Sequence, residues 1–176
     1  DFMHLNNSDN QSPNMREFVA FSSAYKLVKV FESAPSNRMN NVKLEGESDT
    51  VVYTDKDLFE LMLKTLIENA IKYSSDLNSI PVKVEVLDGD ESVLVIVKNF
   101  GPIVQPNERD SIWHRRFRAS NVGHVPGTGL GLHRVMQISR LLGISVTYDA
   151  PASDPIGMNR MIVRLTAERP SMMNGR

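Results

Sequence analysis

The sequence predicts an α/β (α+β) fold, a two-layer sandwich in which about three helices cover one face of a mixed β-sheet. Three features predict it. Helix-period segments alternate with short β-rich ones along the 176-residue chain. Two alternating segments meet at an Asp-Gly turn as a hairpin. One long aperiodic segment interrupts the order without adding a regular element.

Each element follows from its residues. Between Ser22 and Ala34 the apolar positions Tyr25, Leu27, Val28, Val30 and Phe31 suit a helix, ended by Pro35-Ser36-Asn37. VKL (42–44) and VVYT (51–54) read as short strands around EGESD. A helix over 55–73 follows, with Thr54 as its N-terminal cap and Asp57 three residues on. VKVEVL (82–87) alternates, Asp88-Gly89 turns the chain, and SVLVIVKN (92–99) returns as a more buried strand. A helix over about 129–142 presents Leu132, Val135, Met136, Ile138 and Leu142, with Gly143 as its stop. ISVTY (144–148) and RMIVRLTA (160–167) are the last strands.

Composition bounds the function. With 41% hydrophobic residues the chain has enough for one domain with a proper core. Twenty basic and 21 acidic residues leave a net charge of −1, so no global field points to nucleic acid or to an acidic membrane. The longest apolar run, VLVIV at 93–97, is far too short to span a bilayer. Without cysteine there is no disulfide, thiol catalysis or cysteine-ligated metal. Nothing at the N-terminus resembles a signal peptide, which with the missing cysteines predicts a cytoplasmic domain. The opening Asp1-Phe2, in place of Met, predicts a segment of something longer.

Residues 100–127 have no period and hold Gly101, Pro102, Pro106, Gly123, Pro126 and Gly127. Phe100, Ile103, Val104, Ile112, Trp113 and Phe117 make the segment too apolar for a permanently solvated chain, so it reads as a lid or binding loop. It runs into GHVPGTGLGLHRVMQ (123–137), where Gly127, Gly129 and Gly131 occupy alternate positions at the approach to a helix. The spacing fits neither G-x-G-x-x-G after a strand nor G-x-x-x-x-G-K-[ST]. Bare N–H groups at a helix N-terminus suit a phosphate chain; close packing on a neighbouring element is the other use of such glycines.

On the helix over 55–73, Leu58, Met62, Thr65, Asn69, Lys72 and Tyr73 share a face that begins apolar and ends polar, in LIENAIKYS. Such a face would offer an oxygen to a metal, a cation to phosphate and a ring to a base, although an Asn in line with leucines is also a common satisfied core amide. Asn99 ends a buried strand ahead of Gly101, a place for ligand contact or for a plain turn.

Taken together, the segments look like a known set. LIENAIKYS resembles the N box of sensor histidine kinases, VKNFGPIV their G1 box (D-x-G-x-G-I), SIWHRRFR their F box and PGTGLGL their G2 box. Four boxes in order, over roughly residues 50–167, resemble the catalytic ATP-binding domain of two-component histidine kinases, in the GHKL superfamily with its Bergerat fold. The resemblance implies ATP and Mg²⁺ as ligands. It makes Asn69 the Mg²⁺ ligand, Lys72 a phosphate contact and Tyr73 a neighbour of the adenosine. Asn99 takes the place of the aspartate that reads the adenine amino group, with Gly101 allowing close approach. Arg118 aligns with the arginine that reaches the terminal phosphate. Gly127, Thr128, Gly129 and Gly131 line the triphosphate, and Leu130 and Leu132 hold the motif to the core. The implied division is a connecting segment over 1–20, a catalytic domain over 21–168 with its ATP lid at 100–127, and a tail over 169–176.

Several positions depart from the family pattern. Thr65 stands where a second Asn is frequent, Asn99 where Asp is usual, and Ile103 where the second G1 glycine is expected. Arg116 occupies the usual F-box phenylalanine position. An amide at 99 accepts and donates, but lacks the charge-assisted bond of a carboxylate. ATP-hydrolysing relatives carry a Glu where this chain has Thr65; Glu68 points about 100° away from Asn69. That absence fits phosphotransfer to a histidine, whose imidazole is already a nucleophile.

The acceptor is not expected within these residues, since His4, His114, His124 and His133 all lack an H-[ED]-x-[RN]-x-P setting. The implied partners are a phosphoacceptor (dimerisation) domain of the same protein and a response regulator, with the isolated domain monomeric and the parent a homodimer. A degenerate nucleotide-binding scaffold is the alternative reading. Nucleic-acid binding through Arg109, Arg115, Arg116 and Arg118 is disfavoured by the intervening Glu108 and Asp110.

Overall fold

The computed structural model describes residues 12–34, 41–46, 48–75, 80–89, 91–123, 125–151 and 157–166. The Pro35-Ser36-Asn37 stop, the start of the connecting segment (1–11), Ala167, the tail over 169–176, His4 and His124 lie outside the described residues.

Seven strands and three α-helices follow the order β1 (Met15–Val19), α1 (Ala20–Glu32), β2 (Val42–Glu45), β3 (Val51–Asp55), α2 (Lys56–Tyr73), β4 (Val82–Asp88), β5 (Ser92–Phe100), α3 (Gly131–Leu142), β6 (Ser145–Asp149) and β7 (Met158–Thr166) among the described residues. A five-stranded sheet has the order β2-β4-β5-β7-β6, with β2 parallel to β4 and every other pair antiparallel. This is the expected mixed sheet. Residues 15–19, expected within the connecting segment, instead form β1, which pairs antiparallel with β3 in a separate two-stranded sheet.

The alternation of β4 and β5 puts Val82, Val84, Val86 and Val93, Val95, Val97 on one buried face. The helices cover it: α1 lies over β2 and β4, α2 over β4 and β5, α3 over β6. Phe59, Met62, Leu63, Leu66 and Ile67 of α2 are fully buried there. At about 1.5–3 kcal/mol for each large apolar side chain removed from water, this contact holds α2 in place. The Phe18 ring of β1 sits 5.6 Å from the Phe59 ring, so the small sheet closes the start of α2.

Helix ends differ in detail from expectation. Asp55, not Thr54, caps α2, its Oδ1 accepting from Asp57 N and Leu58 N at 3.0 Å each. A carboxylate suits the positive helix start better than a hydroxyl, and the Thr54 hydroxyl is buried without a partner. The third helix begins at Gly131 rather than 129, because Gly129 has φ of +68°, outside the right-handed helix region. Gly143 closes α3 in the left-handed conformation as expected, its N–H donating to Arg140 O and that of Ile144 to Ser139 O.

Candidate functional site

The last two turns of α2, the ends of β5 and β7, and the segment between β5 and α3 enclose a cleft. Leu66, Asn69, Ala70 and Tyr73 line it from α2, Asn99 from β5, Asn159 and Met161 from β7, and Leu132 from α3. Leu66 and Ala70 are in the core, so Asn69 between them is held at a set angle and height.

The glycine segment meets this helix. A β-carbon at Gly131 would stand 3.1 Å from Asn69 Nδ2, 3.3 Å from Asn69 Oδ1 and 3.5 Å from Thr65 Cγ2. Lys72 Nζ occupies the space that a Gly127 β-carbon would take, and sits 4.9 Å above the Tyr73 ring. Gly129 turns left-handed against the Arg116–Phe117 backbone, and its carbonyl accepts from Arg116 N at 2.9 Å. An amide, an ammonium and backbone without side chains therefore converge at the mouth of α3.

Other predicted positions fall less simply. Thr65 spends its hydroxyl on Leu61 O at 2.8 Å and turns its methyl toward Gly131. Leu132 packs on the core, but Leu130 is 40% exposed and does not hold the motif there. Leu130 precedes α3 as its N-cap, whereas Leu132 lies in the first turn of the helix. Thr128 is exposed. Gly101 lies against the Tyr73 carbonyl and donates to Gly157 O at 3.1 Å. Ile103 keeps its backbone engaged, its carbonyl accepting from Asn121 Nδ2 at 2.7 Å. Glu68 pairs at 3.7 Å with Lys64 on the outer side of α2, consistent with its expected direction.

Asn99 ends the buried row Val93, Val95, Val97 and is itself buried; its Nδ2 has no hydrogen-bond partner. Opposite it in the ladder stands Asn159. Tyr148 donates to Asn159 Oδ1 at 2.7 Å and accepts from Val104 N at 3.1 Å, tying the start of the long segment to β6 and β7. Burial pushes the Tyr148 hydroxyl above the usual tyrosine range, against the Val104 amide and the Arg109 guanidinium 5.6 Å from its ring.

The segment itself is folded, with short 3₁₀ turns at Pro106–Glu108, Ser111–Trp113 and Ser120–Val122, and Ile112, Ala119 and Val122 buried. Phe100, expected to open it, continues β5 instead. Glu108 accepts from Ser120 N at 3.0 Å, and His133 Nδ1 donates to Trp113 O at 3.1 Å. Arg118 lines the cleft, yet its Nη2 donates to Val122 O, Gly123 O and Val125 O, within the segment.

A family model described as histidine kinase-, DNA gyrase B- and HSP90-like ATPase matches residues 54–169, from the end of β3 past β7. The chain belongs to this ATPase family. It is 34% identical over 102 residues to the sensor histidine kinase HprS of Escherichia coli, a match covering 58% of this chain and 22% of HprS. The mycobacterial sensor histidine kinase MprB has the same fold, with a TM-score of 0.71, 19% identity, and coverage of 88% of this chain and 99% of that structure. The ATP-binding domain of PrrB from Mycobacterium tuberculosis superposes with a TM-score of 0.67 at 18% identity, covering 89% of this chain and 99% of that one. The chain spans about a fifth of the length of the curated sensor kinases it matches. The fold is that of histidine kinase ATP-binding domains.

In this ATPase fold, Tyr148 and Asn159 are cleft residues that sequence reading missed. Each sits in a strand whose pattern marks burial only; the signal was a polar residue at a position where alternation calls for an apolar one. Among the described residues, no helix is long and apolar enough to cross a membrane.

Proposed function

We propose that this chain is the ATP-binding catalytic domain of a sensor histidine kinase, presenting the γ-phosphate of Mg-ATP to a histidine on a separate phosphoacceptor domain of the same protein, which in turn serves a response regulator. The observation that carries this reading is the Asn69–Gly131 juxtaposition, where the missing side chain leaves a cradle beside an amide. Backbone N–H groups at the start of α3 would receive the triphosphate at the positive helix end. Lys72 Nζ, at the wall of the same loop, would neutralise phosphate charge.

Asn69 offers a hard oxygen suited to Mg²⁺, which takes few protein ligands and shares the rest with substrate phosphates and water. Among the described residues no group of three or more His, Asp or Glu competes for that role. Bound there, the metal would supply charge neutralisation to the triphosphate. Asn99, buried in the cleft lining with its Nδ2 unsatisfied, would read the base.

In the transfer itself the acceptor imidazole nitrogen forms a bond to the γ-phosphorus as the bond to the β–γ bridging oxygen breaks and ADP leaves. No group of this chain need remove a proton from the attacking nitrogen, whose lone pair is free in the neutral ring. Thr65, its hydroxyl committed to Leu61 O, could not act as a base for water, which favours transfer over hydrolysis.

Calorimetric titration with Mg-ATP tests the reading. Asn69→Ala should weaken binding by at least about tenfold, the scale of one bond to a charged group, with the thermal midpoint unchanged. Full binding in that variant would refute the metal site. A nucleotide-binding scaffold without transfer is the second reading, favoured by the engagement of Arg118 with lid carbonyls. Binding of Mg-ATP without phosphorylation of an added acceptor-helix domain would select it.

A further inference from the structure

Asn99 and Asn159 face each other in the β5–β7 ladder, on the face that carries buried Val93, Val95 and Val97 of β5 and Val163 and Leu165 of β7. Their amides are not equivalent. That of Asn159 is held at both ends, its Oδ1 accepting from the Tyr148 hydroxyl at 2.7 Å and its Nδ2 donating to Gly101 O at 3.4 Å. Tyr148 is fixed in turn by the Val104 amide. A tyrosine hydroxyl is already a neutral donor at physiological pH, and burial raises its pKa further. Asn99 is as deeply buried and lines the same cleft, but its Nδ2 has no hydrogen-bond partner. An unpaired buried donor costs about 1–3 kcal/mol, a cost that a ligand edge would relieve.

The chemistry of that edge follows from the side chain. A carboxamide presents an acceptor and a donor side by side, and a half-turn about its last bond exchanges them. Adenine offers an amino donor beside the N1 acceptor. Hypoxanthine and guanine offer a keto acceptor beside an N1–H donor, the reverse order. A carboxylate in this place would only accept, so in the same pose it would set its lone pairs against a keto oxygen. A pinned amide would read one order alone. Asn99 is neither.

We propose that Asn99 makes this a purine site of relaxed choice, taking 6-oxopurine nucleoside triphosphates as well as ATP, with the unpinned Asn99 amide turning to match either edge while Asn159 stays fixed by Tyr148. This rests on the nucleotide-binding reading above.

The test compares Mg-ATP and Mg-ITP by calorimetry on the unmodified chain and on Asn99→Asp. ITP differs from ATP only at the edge in question. Expected is an affinity ratio within about tenfold for the unmodified chain, rising in favour of ATP by roughly 10- to 100-fold in Asn99→Asp, the scale of one matched base-edge pair. If the unmodified chain binds ATP and rejects ITP by more than about 100-fold, the base inference falls and the nucleotide site stands. An unchanged ratio in folded Asn99→Asp also overturns it. If neither triphosphate binds, both readings fail together. Should Asn99→Asp not fold, the ratio on the unmodified chain decides alone.

Discussion

Gly131 opens α3 directly against Asn69, so close that a β-carbon would stand 3.1 Å from the Asn69 amide nitrogen and 3.3 Å from its oxygen. A helix start is normally improved by alanine, by up to about 1 kcal/mol. Here the added methyl would push into the cradle. Gly131→Ala should therefore keep or raise the thermal midpoint while weakening Mg-ATP by about tenfold or more, a loss of about 1.4 kcal/mol. Gly129→Ala should behave oppositely in stability. Its φ of +68° and its ideal β-carbon 2.6 Å from the Arg116 carbonyl carbon predict a loss of about 1–3 kcal/mol in urea unfolding.

Thr65 lies one turn before Asn69, yet its hydroxyl is bonded to Leu61 O. Thr65→Ala should leave Mg-ATP affinity within about threefold, under the cost of one hydrogen bond to a charged group. Measured beside Asn69→Ala by the same titration, it separates a general effect on α2 from the loss of a ligand. A drop equal to that of Asn69→Ala would add Thr65 to the proposed Mg²⁺ site.

Arg118 gathers three carbonyls in the segment between β5 and α3, those of Val122, Gly123 and Val125. Arg118→Ala leaves them without this donor, so limited proteolysis of the nucleotide-free chain should cut within 118–126 several times faster while the core stays protected. Unchanged cleavage would show that Glu108 and Asn121, which join the same region to residues 103–120, suffice.

Tyr148 holds its proton more tightly when folded than its ordinary value of about 10, because burial opposes the phenolate. The folded chain thus keeps a proton that the unfolded chain releases first, and stability falls as pH rises through about 10 and above. In Tyr148→Phe that fall is absent, although near neutral pH the variant is less stable for want of the bonds to Asn159 and Val104. Urea unfolding should show the gap between the two proteins narrowing from about pH 9 to about pH 11. A constant gap would mean the hydroxyl is solvated in the folded state.

What the sequence determined by itself was whatever neighbouring residues encode: the apolar period that marks α2 and its polar end, the alternation and Asp-Gly turn of the β4–β5 hairpin, the stop at Gly143, and the spacing of Asn69, Lys72 and the three glycines. Those signals lie within a few turns of chain, so local geometry carries them. Only the tertiary structure decided the pairing of β1 with β3, since Met-Arg-Glu-Phe-Val alternates weakly and becomes a strand through its partner and the Phe18–Phe59 contact. The same holds for Asn159 and Tyr148 beside Asn99, for the outward turn of Leu130, and for the bonds Arg118 makes to carbonyls of its own segment. Strand pairing and the folding of the segment between β5 and α3 bring together residues far apart in sequence, and no local period records which of them will meet.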